Sequence, residues 1–173
     1  MMFSLALLLV AGVPMLLEAR LAARHDRALR AAGAVEPRGD VYGMMQVAYP
    51  ACFAGMTLEA WARGAQPTAI VAAGAGLFAG AKLLKYWAIS TLGERWTFRV
   101  LVPPRSTRIV SGPYRYMGHP NYLAVVGELA GMGIMAQAPV AGVASLVGFG
   151  ALLLARIRIE ERALAPSTPT LEP

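Results

Sequence analysis

Residues 120–164, PNYLAVVGELAGMGIMAQAPVAGVASLVGFGALLLARIRIEERAL, decide the fold. Two apolar runs, 120 to 136 and 138 to 157, stand either side of Gln137, and the second ends in a block of charge. Each is close to the ~20 residues a helix needs to cross ~30 Å of hydrocarbon. A turn at 137 to 139 folds the two into a hairpin. Pro120 suits the first turn of a helix, where its missing N–H would have no partner anyway, and so marks the start of the first arm. Within that arm sits Glu128. An intramembrane carboxylate is a functional candidate, the plainer alternative being a hydrogen bond to a neighbouring helix.

Three more apolar runs, 1 to 17, 43 to 61 and 67 to 90, bring the expected spans to five. Hydrophobic residues make up 57% of the 173 and charged residues 15%, against about 45–50% and about 25% for soluble chains. Mean hydropathy is +0.51. The expectation is an all-α, polytopic membrane helix bundle: one domain over 1–165 and a disordered tail over 166–173. The first run lacks a basic n-region and is followed at once by a basic segment, so it reads as a span and not a cleaved leader.

Fifteen of the 16 Lys and Arg fall in 18–42, 82–118 and the segment after 155. With five spans these lie on one side, which the positive-inside rule makes the cytoplasm. The N-terminus is then outside and the C-terminus inside. The net charge of +6 therefore reads as topology, and no nucleic-acid partner is expected. Segment 18–40 reads as a surface helix and a turn, with His25 solvated. Small residues at four-residue spacing, Ala72, Gly76 and Gly80 in one span and Gly127 and Gly131 in another, allow close helix packing. Cys52 has no second cysteine to pair with, and no metal site is expected.

The longest polar segment, TLGERWTFRVLVPPRSTRIVSGPYRYMGHPN (91–121), joins the third and fourth spans. Long ordered loops are usually functional. His119 stands at a helix entrance, where exposed N–H groups and the positive dipole end favour an anionic group. Asn121 and Glu128, seven apart, share one helix face. At the end of the fifth span Arg156 with Glu160 and Arg158 with Glu161 have helical pairing distances. The hairpin brings Glu160 and Glu161 to the level of Arg115 and His119, in a polar pocket that opens into the bilayer.

Gly112, Pro113, Tyr114, Arg115 and Tyr116, then His119, Pro120 and Tyr122, then Glu160 and Glu161, resemble in order and spacing the isoprenylcysteine carboxyl methyltransferase family. LGERWTFRVLV and the segment 18–40 are similar to its bacterial alkylpyrone and phenolic-lipid O-methyltransferase branch. The resemblance implies an enzyme of the cytoplasmic face of a bacterial inner membrane that takes S-adenosylmethionine, releases S-adenosylhomocysteine, and methylates a lipophilic or prenylated acceptor among membrane lipids. It implies a cofactor site within 91–164, formed by Gly112, Tyr114, Tyr116, His119, Pro120, Asn121, Tyr122, Glu160 and Glu161.

Methyl transfer from a sulfonium is an in-line displacement in which positioning can supply up to roughly 7–11 kcal/mol. A carboxylate acceptor is already ionised, whereas a phenol with a pKa of about 10 wants a base or a cation beside it. Glu128 as base and Arg115 beside the oxyanion are the candidates. Two features depart from the family pattern. Gly118 stands where the family has Arg, with Arg115 or Arg108 able to supply the charge, and Pro166 and Pro169 follow the Glu pair almost directly. A degenerate relative without activity, and a membrane carrier or scaffold using Glu128, are the alternative readings.

Overall fold

The computed structural model describes residues 2–37, 39–104 and 109–164. The tail over 166–173, Arg105 and Arg108 lie outside them. Five helices follow in order: α1 (Met2–Ala31), α2 (Tyr42–Ala62), α3 (Ala69–Leu92), α4 (Pro120–Met135) and α5 (Pro139–Leu164). The chain is thus an all-α bundle. Between α3 and α4 the loop makes two short 3-10 turns, Gly93–Arg95 and Gly112–Arg115. The connection after α1 joins this loop through an isolated antiparallel bridge, Val35 to Val102, with both N–H···O distances 3.0 Å.

Glycine sets how closely α3 and α4 approach. A Cβ at Gly74 would lie 2.4 Å from the Met135 nitrogen, and one at Gly131 2.6 Å from the Phe78 nitrogen. Those distances are impossible for real atoms, so the two backbones touch only because the side chains are absent. One at Gly127 would meet the Ala81 Cβ at 2.9 Å. The expected α4 stripe is therefore in place. On α3 the stripe is displaced: Gly76 and Gly80 face open space, and Gly74, Phe78 and Ala81 make the contact. Two small-residue faces share this helix, and spacing alone does not choose between them.

Met56, Leu129 and Met132 are fully buried where α2 and α4 meet, with Phe53, Phe78, Phe149 and Leu153 around them. At the opposite end from the loop, Glu59 of α2 caps α5, accepting from the N–H groups of Val140 at 3.3 Å and Ala141 at 2.6 Å. A carboxylate at a helix N-terminus satisfies free donors and complements the dipole.

Three of the five helices, α1, α3 and α5, are long and apolar enough to cross a membrane. Leu8, Leu9 and Leu17 of α1, Leu83 and Trp87 of α3, and Val143, Val147 and Leu154 of α5 are exposed. An apolar surface on such long helices is what hydrocarbon covers, and it makes this an integral membrane protein. With 16 residues at about 1.5 Å each, α4 extends about 24 Å, less than the ~30 Å apolar layer.

Candidate active site

Pro120 opens α4, with His119 at the cap position. On the first turn the Tyr122 hydroxyl donates to Glu160 Oε2 at 2.5 Å and accepts from Arg156 Nε at 3.0 Å. Arg156 and Glu160 share a face of α5, as their spacing requires. They meet through the Tyr122 oxygen that stands between them. Arg156 Nη1 continues to Asp40 Oδ1 at 3.0 Å. Asp40 also accepts from the N–H groups of Tyr42 and Val100, each at 3.2 Å. The Arg156 and Asp40 side chains are only 5% and 4% exposed, so this chain of bonds is fully satisfied inside the protein.

The His119 ring stacks on Tyr122, centroids 5.4 Å apart, and its Nε2 is 3.4 Å from Glu161 Oε1. Trp96 Nε1 donates to Asn121 Oδ1 at 3.4 Å, while the Trp96 carbonyl accepts from His25 Nδ1 at 2.8 Å. His25, expected in solvent, is buried at 6% exposure. The loop folds back over α1, and the imidazole supplies a donor that its carbonyl needs. Nearby, Glu36 accepts from Arg30 and from Arg99, the latter at 2.7 Å. Burial pushes the Glu36 carboxyl up, but the two guanidinium hydrogen bonds outweigh it and hold the group below its ordinary range.

Two cavities meet at Tyr122. The smaller, about 110 Å³, is the more polar of the two, with Trp96, Tyr114, His119, Asn121 and Glu160 in its wall beside Leu92, Val100 and Leu101. Burial, and then the Glu160 charge, raise the Tyr114 phenol pKa above its ordinary value, so that ring presents a hydroxyl donor. The larger cavity, about 520 Å³, lies among α1, α2, α4 and α5 and is mostly apolar. Thr97, Arg99, Asn121, Tyr122 and Arg156 line both.

Five of the expected cofactor residues, Tyr114, His119, Asn121, Tyr122 and Glu160, line the polar cavity. Glu161 stands at its rim, bonded to His119. Pro120 is buried as the first residue of α4. Gly112 (φ +55°) presses its turn against Thr91, whose Oγ1 a Cβ would meet at 2.3 Å. Tyr116, 72% exposed, and Arg115 face outward.

Glu128 lies deeper, in a buried quartet. Lys82 Nζ is 2.6 Å from Glu18 Oε1 and 3.0 Å from Glu128 Oε2. Lys85 Nζ is 3.0 Å from Glu18 Oε2 and 2.8 Å from Glu128 Oε1, the last a contact of charge without hydrogen-bond geometry. The Tyr49 hydroxyl donates to Glu128 Oε2. Two carboxylates and two ammoniums balance, and none of the four residues exceeds 8% exposure. Lys82 and Lys85, counted with the cytoplasmic loop in the sequence, are therefore interior residues of α3. Their signal was their setting, AKLLKYW, apolar on both sides. Asp40 carried no signal beyond its place in a turn, since its partners come from distant segments.

The sequence pattern of the Isoprenylcysteine carboxyl methyltransferase (ICMT) family matches residues 74–166, which takes in most of α3, the loop and the hairpin. "Uncharacterized protein YpbQ" of Bacillus subtilis (strain 168) is 28% identical over 147 residues, 85% of this chain and 88% of that protein. An "Uncharacterized protein" of Haemophilus influenzae is 26% identical over 147 residues, 84% and 86% of the two chains. No solved structure matches the chain. With more than half of its length in the family pattern and both arms of the hairpin inside it, the chain belongs to the isoprenylcysteine carboxyl methyltransferase family.

Proposed function

We propose that this chain is an S-adenosylmethionine-dependent integral membrane O-methyltransferase whose acceptor is a lipid, either a prenylcysteine-like carboxylate or the hydroxyl of an alkylpyrone or phenolic lipid. The observation that carries this reading is the shared wall: a cavity of mixed polar lining and a larger, mostly apolar one meet at Tyr122, Arg156 and Arg99. A transferase for a charged donor and a greasy acceptor needs that juxtaposition.

The side-chain types suit S-adenosylmethionine, and because the polar cavity of about 110 Å³ is smaller than the roughly 300 Å³ or more of cofactor sites, it must open into its larger neighbour or past its rim to hold the whole molecule. Glu160 and Glu161 offer carboxylates to its cationic groups, Trp96, Tyr114 and the His119–Tyr122 stack offer flat faces, and Asn121 offers an amide. When bound, the cofactor supplies a methyl group on a sulfonium, and its transfer to oxygen requires alignment more than covalent help. In this reading Tyr122 and Arg156 hold the donor end against the acceptor end, and Asp40 fixes the direction of Arg156. Arg99 and Arg156, each already paired with a carboxylate, Glu36 and Asp40 respectively, offer N–H donors to an acceptor oxygen more than free positive charge. Glu128 reaches the large cavity through Tyr49, while Arg115, exposed on the loop, lines neither cavity.

We further read α2 and α4 as spans joined to α1, α3 and α5, with the N-terminus outside and the site on the cytoplasmic face of a bacterial inner membrane. Short α4 is accommodated there by its packing against α3.

Calorimetric titration of the detergent-purified protein with S-adenosylhomocysteine tests the reading. Saturable binding is expected in the wild type, with a large loss in His119→Ala and in Glu160→Gln. Methyl transfer from labelled S-adenosylmethionine to an S-prenylated cysteine or a long-chain alkylphenol then separates the acceptor classes. A wild type that binds no S-adenosylhomocysteine would make this chain a degenerate relative.

A further inference from the structure

The large cavity has a direction that can be read from four helices at once. Its polar end is formed by Asp26, Tyr42, Arg99 and Arg156, which stand near the loop-side ends of their helices or in the loop itself. Its other end is formed by Met15, Tyr49, Pro50 and Phe149. On α4 the wall stops at Val125. Glu128, six residues beyond Tyr122, lies about 9 Å further along the axis and outside the wall. Tyr49 therefore stands between the apolar end of the cavity and the charged quartet. Its hydroxyl donates to Glu128. Its ring is packed by Phe53 and Phe149, with centroids 5.0 and 5.1 Å away, and Lys85 Nζ is 5.4 Å from the ring centroid. A side chain held at both its tip and its ring is a fixed floor.

We propose that Tyr49, positioned by Glu128 and the Glu18–Lys82–Lys85 ion pairs, is the residue that ends the acceptor cavity and so sets the length of apolar chain it takes. This rests on the reading of the large cavity as the acceptor site. The quartet joins α1, α3 and α4 to α2 through this tyrosine, so its charges hold the cavity floor in register with the polar mouth. Removing the hydroxyl frees the ring tip while leaving the four ion pairs in place. Removing the ring opens a path toward the Phe53 and Met56 level of α2.

The test uses the full chain in nanodiscs and a 4-alkylphenol with a diazirine at the chain end as photoprobe, with labelled residues mapped by mass spectrometry. In the wild type the label is expected on the α1 and α2 residues around Met15 and Tyr49. In Tyr49→Ala most of it should move to residues 53–60 of α2 and 7–11 of α1. In Tyr49→Phe it should spread over both levels. S-adenosylhomocysteine titration of the same preparations reports that each variant is folded and that the cofactor reading stands. Label at the wild-type position in both variants would overturn the proposal, because the floor would then not depend on Tyr49. Wild-type label outside the cavity, with S-adenosylhomocysteine still bound, would overturn it as well and leave the cofactor site untouched. Loss of S-adenosylhomocysteine binding in the wild type would instead remove the reading on which it rests.

Discussion

Tyr122 carries the most at the scale of single residues. Its one oxygen donates to Glu160 and accepts from Arg156, and its ring supports His119. Tyr122→Phe keeps the ring and removes both bonds, each to a charged group, and such bonds contribute about 1.5–3 kcal/mol. Thermal stability should fall measurably, since buried Arg156 loses a partner, and S-adenosylhomocysteine affinity should fall roughly tenfold or more in a calorimetric titration. Glu36 makes a second prediction. Its folded pKa lies below the ordinary 4.5, so its contribution to stability is present above that value and is lost as pH falls through the depressed one. The melting-temperature gap between wild type and Glu36→Gln should be open at pH 7 and close as pH drops below about 4. His119, Glu160 and Glu161 are legible in the sequence because a proline, a helix entrance and a charged helix end fix their places, and Tyr122 through the family resemblance. The bond order among them is not: Arg156 and Glu160 have the spacing of a pair, and only folding puts a phenol oxygen between them.

Between elements, the closest approach is that of α3 and α4. At Gly131 any side chain would overlap the α3 backbone at Phe78, so Gly131→Leu must separate the helices. A loss of about 3 kcal/mol or more is expected, at the upper end for overpacked sites. Gly76→Leu, on the same α3 but facing open space, should leave thermal unfolding in detergent nearly unchanged. A similar loss at both positions would mean that the helices pack on another face. The hairpin of α4 and α5 is readable because one polar residue divides two apolar runs. The α3 face is not readable to the same degree, since glycines and alanines lie all round that helix. The contacting set is chosen by Lys82 and Lys85, which must turn toward Glu18 and Glu128 to be neutralised. A lone buried charge costs far more than a displaced small-residue stripe.

Over the whole molecule, the five-helix count follows from the apolar runs, and the surface of α1, α3 and α5 matches a lipid surround. Orientation rests on charge distribution, and the interior position of Lys82 and Lys85 removes two charges from that count without changing its sign. In a Cys52→Ala background, Thr68→Cys should react with a membrane-impermeant thiol reagent from outside spheroplasts. Glu94→Cys should react only after the inner face is opened. The reverse pattern would invert the topology and put the site on the outer face. Asp40 and Arg156 are 116 residues apart in the chain, one before α2 and one near the end of α5. The polar cavity therefore has no complete wall while the protein is being made. A nascent chain that has made its first four helices still lacks Arg156 and Glu160, so the binding proposed for this cavity waits until the last helix is synthesised and docked.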